Sequence, residues 1–112
     1  MNNRITFLVF TYNEKNRIRP YLECIKGKGE IIVIDNFSED ETIEIAKEYT
    51  NNIFQFQNIG YPENPKTMEF ALSKVKTKWA YLGFVDELIP QKLFEELGRA
   101  VSSGKYRAIE VY

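Results

Sequence analysis

Two polar clusters, each directly after an apolar run, carry side chains suited to holding a nucleotide base. Thr11 and Tyr12 follow the apolar run 5–10, and Asp35 ends a second run, Ile-Ile-Val-Ile. A base with an N–H, such as uracil, needs an acceptor in the plane of its ring and an aromatic surface to lie on. Tyr12 and Asp35 supply these two groups if the runs form adjacent strands. The alternative is that Asp35 and Asn36 make a turn before a capped helix.

The composition excludes several other kinds of chemistry. The 112 residues contain no histidine and a single cysteine, Cys24, which excludes a Ser-His-Asp triad, a cysteine-rich zinc site and an internal disulfide. Fifteen basic and sixteen acidic residues give a net charge of −1, which predicts no nucleic-acid partner.

The apolar runs are too short to cross a bilayer and the first residues contain no signal segment, so we expect a protein that is not transmembrane. A lone thiol favours a reducing compartment, and we predict a cytoplasmic location.

Strand-like and helix-like segments alternate along the chain, and their order predicts which polar clusters meet. Strands are predicted at 4–10, 30–35, 53–56, 79–85 and 106–112, with a helix between each pair. The order βαβαβαβαβ predicts an α/β fold, a single domain over residues 1–112 with a mostly parallel sheet and helices on both faces. Ligands bind such sheets at the carboxyl ends of the strands. The polar residues that follow strands one, two and four therefore form the candidate site.

Capping signals mark where two of the helices begin. Ser38 and Glu41 form the Ser-x-x-Glu pattern of a capping box, which predicts a helix directly after them. In this reading Asp40 lies just inside the helix and stabilises its dipole. Asn64 and Pro65 fit the N-cap and first-turn positions of the next helix.

The collinear order of the motifs resembles the amino-terminal half of the family 2 glycosyltransferases, which are inverting nucleotide-sugar enzymes with an A-type fold. The resemblance rests on five segments in the expected order: Phe-Thr-Tyr-Asn-Glu, Val-Ile-Asp-Asn-Phe-Ser-Glu-Asp-Glu-Thr, Asn-Ile-Gly, Phe-Ala-Leu-Ser-Lys and Trp-Ala-Tyr-Leu-Gly-Phe-Val-Asp-Glu. The most similar subgroup is the bacterial set that modifies lipopolysaccharide cores and other surface glycans. The resemblance implies a Rossmann-like, truncated A-type fold and a nucleotide-sugar donor, a UDP-sugar.

The resemblance also implies roles for five residues. Thr11 and Tyr12 match the segment that holds the base, and Glu14 matches the acid that ends this motif. Asp35 matches the aspartate that pairs with the uracil N3–H. Asp86 matches the last aspartate of the Asp-x-Asp motif, which holds a divalent metal, Mg or Mn, against the sugar diphosphate. A hard cation held by carboxylate oxygens neutralises the charge of the leaving group.

Three departures from the family pattern limit what is expected of this site. Phe84 stands where the first aspartate of Asp-x-Asp is expected, so we predict that metal binds only together with the nucleotide. Met68 and Glu69 replace a basic residue and an asparagine that face the phosphates, and Lys66 lies one turn away. The acceptor-binding half, which in the family carries the general base, is not matched. We therefore assign no catalytic residue and expect this chain alone to be weak or inactive.

The sequence also allows functions other than sugar transfer. A non-catalytic, truncated glycosyltransferase-like module for binding or interaction would keep the fold with an eroded site. An uncovered sheet edge would favour a homodimer or a partner chain. A receiver-like signalling domain has the same alternation but needs acids directly after strand one, where this chain has Thr11 and Tyr12.

Overall fold

The computed structural model describes residues 5–57, 64–86 and 88–103. Its elements alternate strictly in chain order: β1 (Ile5–Thr11), α1 (Ile18–Ile25), β2 (Glu30–Asp35), α2 (Thr42–Ala46), β3 (Ile53–Gln55), α3 (Pro65–Leu72), β4 (Trp79–Phe84) and α4 (Gln91–Ser103). The four strands are all parallel and lie in the order β3-β2-β1-β4. The predicted α/β fold is confirmed for this part of the chain. The strand predicted at 106–112 lies outside the described residues.

Helices cover both faces of the sheet, as predicted, but unequally. On one face α1, α2 and α4 pack against alternate residues of the central strands, including Phe7, Val9 and Val33. On the other face α3 packs over Leu8, Phe10 and their neighbours. The α3 face is the thinner one, since the residues of β4 on this face are half-buried while those on the opposite face are buried. None of the helices described here has the length and apolar character needed to cross a membrane.

Strand β1 lies at the centre of the sheet and fixes the position of the candidate site. All seven of its residues are buried, because β1 pairs with β2 on one side and β4 on the other. Its two threonines lie at opposite ends and satisfy their hydroxyls with side-chain partners. Thr6 Oγ1 lies 2.6 Å from Thr77 Oγ1, and Thr11 Oγ1 donates to Asp35 Oδ1 at 2.7 Å.

The two capping predictions have opposite outcomes. Asn64 is the N-cap of α3, where its side chain accepts from the Lys66 N–H at 2.9 Å, as predicted. The capping box of Ser38 and Glu41 is wrong, because the Ser38 hydroxyl donates to Asp35 instead. Asp40 takes its place just before α2 and accepts from the Thr42 N–H at 2.9 Å. A buried carboxylate must accept hydrogen bonds, and Asp35 therefore binds the Ser38 hydroxyl that the capping box would have used at the start of α2.

Helix α1 approaches β4 at a glycine. Gly83 lies under the ring of Tyr21, so close that a methyl group on Gly83 would overlap the Tyr21 hydroxyl and come within 2.9 Å of Cζ. Tyr21 is fully buried, and its hydroxyl has no hydrogen-bond partner in the part of the chain that the structure describes. The close packing of α1 on β4 thus depends on the absence of a side chain at position 83.

Candidate functional site

The predicted site residues converge at the carboxyl edge of the sheet. The register pairs Thr11 with Asp35 across β1 and β2, and Phe10 with Phe84 across β1 and β4. The residues that follow these strand ends line an open cleft of about 340 Å³. Thr11, Tyr12, Glu14 and Asp86 all belong to its lining.

Asp35 lies beneath this edge rather than in the lining of the cleft. Its side chain is fully buried, and its two oxygens accept three hydrogen bonds. Oδ1 accepts from Thr11 Oγ1 at 2.7 Å and from Ser38 Oγ at 2.6 Å, and Oδ2 accepts from the Ser38 N–H at 2.7 Å. The carboxylate therefore joins the end of β1 to the segment that follows β2.

Further hydrogen bonds tie the loop after β1 to the loop after β2. The Asn13 N–H donates to Ser38 Oγ, and Asn13 Oδ1 accepts from the Glu39 N–H, both at 2.8 Å. The Glu14 N–H donates to Thr42 Oγ1 at 2.8 Å, which connects this loop to the first turn of α2. The two loops that carry Tyr12 and Asn36 are thus held as one unit.

The cleft combines an apolar wall with a charged rim. The rings of Phe10 and Phe84 stack with their centroids 5.9 Å apart, so the position expected to carry an aspartate contributes an aromatic side chain to the lining. Glu14, Arg17 and Asp86 supply the charged groups.

The charges in the cleft affect one another. Burial raises the pKa of Glu14 above its ordinary value, Arg17 opposes this increase, and the charges of Asp86 and Asp40 add to it. Glu14 and Asp86 are thus close enough to repel. The described residues contain no group of three or more side chains that could hold a metal ion. Two carboxylates are fewer than the about six oxygen ligands that Mg²⁺ or Ca²⁺ takes.

A second, more open groove adjoins the cleft on the β2 side. It encloses about 430 Å³ and is lined by Tyr12, Asn36, Phe37, Glu39 and Gln57. Tyr12 and Asn36 line both spaces, so the groove and the cleft lie side by side. The aromatic side chains of Tyr12 and Phe37 are 55% and 52% exposed, which leaves both available to a ligand.

Two residues that line the site, Arg17 and Phe37, were not predicted from the sequence. Arg17 directly precedes α1 and lines the cleft, whereas Lys66, the cation considered from the sequence, does not. Nothing in the spacing of the motifs marks Arg17, because its position follows from where α1 begins. Phe37 could have been noticed from the sequence, because it directly follows the turn-forming residues Asp35 and Asn36, where an aromatic ring is readily exposed. Glu87, which follows Asp86 in the sequence, lies outside the described residues.

Comparisons with known protein sequences match most of this chain. The family model for glycosyl transferase family 2 matches residues 6–103. An uncharacterized glycosyltransferase of Rickettsia typhi is 30% identical over 95 residues, which cover 84% of this chain and 32% of the relative. The SPbeta prophage-derived glycosyltransferase SunS of Bacillus subtilis is 32% identical over 90 residues, 75% of this chain and 20% of SunS. The chain thus spans a third or less of the length of these relatives.

Solved structures match the fold. The structure of residues 1–349 of TarS from S. aureus superposes with a TM-score of 0.69 at 22% identity, covering 89% of this chain and 32% of that 1–349 chain. TarS has also been solved in complex with UDP. The match supports the A-type glycosyltransferase fold that the resemblance implied. The family match over residues 6–103 identifies the chain as a member of glycosyl transferase family 2.

Proposed function

We propose that this chain binds a UDP-sugar as the donor for a glycosyl transfer. The observation that carries the proposal is the pair of adjoining spaces at the carboxyl edge of the sheet, aromatic and polar on the β2 side and charged on the β4 side. A nucleotide sugar has a matching division, with a flat base at one end and a charged diphosphate between the nucleoside and the sugar. The UDP complex of TarS, which has the same fold, supports this choice of nucleotide.

The base is proposed to bind on the β2 side, with its ring on Tyr12. Asp35 is proposed to accept the uracil N3–H. A carboxylate offers about four lone-pair sites, and three donors already point at Asp35. Because Asp35 is fully buried, the base reaches it only if the segment around Ser38 shifts. Thr11 holds the carboxylate in place from below.

The diphosphate is proposed to bind on the β4 side, between Arg17 and a divalent metal. Asp86 is the proposed metal ligand, and Glu14, which lines the same cleft, is proposed to share the ion or its waters. Mg²⁺ or Mn²⁺ would neutralise the charge on the leaving phosphate. Two carboxylates give an incomplete shell, so phosphate oxygens and water would complete it and metal would enter only with the nucleotide. Arg17 offers the fork of donors that suits phosphate oxygens.

The acceptor is proposed to belong to surface-glycan synthesis, with the reaction in the cytoplasm, where the Cys24 thiol would stay reduced. No general base is assigned. A second candidate function is a non-catalytic module that binds nucleotide without turnover. The packing of Phe84 on Phe10, at a position expected to hold an acid, favours this candidate.

Calorimetric titration with UDP, CDP and uridine, with and without Mn²⁺, tests the proposal. We expect UDP to bind better than CDP, because N3 of cytosine is an acceptor and would face Asp35. We also expect Mn²⁺ to strengthen UDP binding without binding the free protein tightly. Asp86→Asn should remove the Mn²⁺ effect, and Glu44→Gln, an exposed carboxylate on α2 that lines neither the cleft nor the groove, should not. Equal binding of UDP and CDP would contradict the role of Asp35, and no UDP binding would contradict the function.

Release of UDP from UDP-sugars separates the two candidate functions. A transferase should release UDP at a rate that rises with acceptor concentration and depends on Mn²⁺. A binding module should bind UDP with the same preferences and release none from its sugar conjugate.

A further inference from the structure

Phe37 has a backbone conformation that its residue type disfavours. Its φ angle is 55°, in the left-handed region, and Asn13 is the other non-glycine residue with a positive φ in the described chain. Glycine adopts this region freely and asparagine tolerates it, whereas a bulky side chain is strained there. A phenylalanine at position 37 therefore destabilises the loop relative to glycine.

Asn13 and Phe37, the two described non-glycine residues with a positive φ, differ in what their side chains contact. Asn13 uses its side chain within the protein, because Oδ1 accepts from the Glu39 N–H. Phe37 leaves 52% of its side chain exposed, so burial of the ring compensates little of the strain. Backbone strain at the edge of a site, not compensated by burial of the side chain, suggests that the side chain contacts a ligand.

The loop holds Phe37 at one edge of the groove. The next residue, Ser38, donates through both its N–H and its hydroxyl to the buried Asp35. Phe37 lines the same groove as Tyr12, together with the polar side chains of Asn36, Glu39 and Gln57. Two aromatic faces with polar groups around them suit a flat ring that carries hydrogen-bonding edges.

We propose that Phe37 is a nucleobase-stacking residue, which provides a second aromatic face besides Tyr12 and so selects a flat base at the β2 end of the site. The inference rests on the proposed function, since it assigns part of the donor to this groove. The diphosphate then extends past Tyr12 and Asn36, which line both spaces, into the charged cleft.

The experiment compares stability and ligand affinity in variants of Phe37. Phe37→Gly and Phe37→Asn both remove the ring while suiting the left-handed backbone, and Phe37→Tyr keeps the ring. We expect the first two to raise Tm and to weaken uridine and UDP by the same factor, about tenfold, as is typical for loss of one stacking contact. Phe37→Tyr should bind both ligands like the wild type. Leu72→Ala, which truncates an exposed apolar residue outside the groove, should leave both affinities unchanged.

The outcomes separate this inference from the proposed function. A higher Tm with unchanged affinity in Phe37→Gly and Phe37→Asn would overturn the stacking role while wild-type binding of UDP still upheld the function. Weaker binding in Phe37→Gly alone would also overturn it, because a flexible loop rather than a lost ring would be the cause. Failure of the wild type to bind either uridine or UDP would contradict the proposed function itself, and the stacking role with it.

Discussion

The two halves of the carboxyl edge are built differently. On the β2 side, hydrogen bonds from Thr11, Asn13 and Ser38 join the loops after β1 and β2 around the buried Asp35. On the β4 side, the wall of the cleft is formed by the stacked rings of Phe10 and Phe84, and its charges lie at the rim. One half is shaped by directional bonds within the protein, and the other by apolar packing under separate charges.

This difference indicates which part of a ligand each half can recognise. Several hydrogen bonds hold this loop around Asp35, so a base gains access only by replacing a donor to that carboxylate, which suits discrimination between similar bases. Charges of opposite sign at an open rim suit a diphosphate, whose own oxygens can complete a metal shell. Under the proposed function, the β2 side gives specificity and the β4 side gives charge neutralisation.

The largest expected effect is the loss of the Asp35 carboxylate. Asp35→Ala leaves the Ser38 N–H and two hydroxyls without their acceptor in a buried position. We expect the free energy of unfolding to fall by about 3 kcal/mol. Asp86→Ala, the exposed carboxylate of the β4 side, should change it by less than about 0.5 kcal/mol. Urea unfolding measures both. Similar losses in the two variants would mean that the halves do not differ as described.

A second prediction tests the packing that supports the β4 side. Gly83→Ala drives a methyl group into Tyr21, and we expect a loss of about 2 kcal/mol in unfolding free energy from overpacking. Tyr21→Phe removes a buried hydroxyl that has no partner among the described residues, so alone it should not destabilise the fold. The double variant should recover part of the loss. A fully additive pair in thermal or urea unfolding would show that the two side chains do not compete for this space.

The fold was largely predictable from the sequence because buried parallel strands read as continuous apolar runs. The strand ends carrying Thr11, Asp35 and Asp86 could be located in the same way. The hydrogen bonding of Ser38 could not, because two local patterns compete for its hydroxyl: the capping box with Glu41, and a turn in which Asp35, three residues earlier, accepts from Ser38. Burial of Asp35 beside Thr11, which depends on the pairing of β1 with β2, decides between them. Arg17 was missed because its place in the cleft depends on where the loop after β1 ends and α1 begins.

The two threonines of β1 offer a matched pair of smaller effects. Thr11→Val removes a donor to Asp35, and Thr6→Val removes a hydroxyl contact with Thr77 at the opposite end of the strand. Each should lower the unfolding free energy by about 1 kcal/mol. Only Thr11→Val should also weaken UDP binding, because it alone adjoins the site. Equal UDP affinities of the two variants in calorimetry would contradict the link between Asp35 and ligand recognition.

The smallest expected effect concerns Glu14, whose carboxylate lies where the two halves meet. Burial raises its pKa in the folded state, and the charge of Asp86 raises it further. Above the folded-state pKa the ionised carboxylate therefore destabilises the fold, and this cost disappears as the pH falls below the pKa of the unfolded chain. Glu14→Gln should raise Tm slightly at neutral pH, with a difference that vanishes in acid. In an Asp86→Asn background the gain at neutral pH should be smaller, because one source of repulsion is gone. Tm measured from pH 3 to 7 in the four variants tests this, and a gain that is equal in both backgrounds would show that Glu14 and Asp86 do not interact.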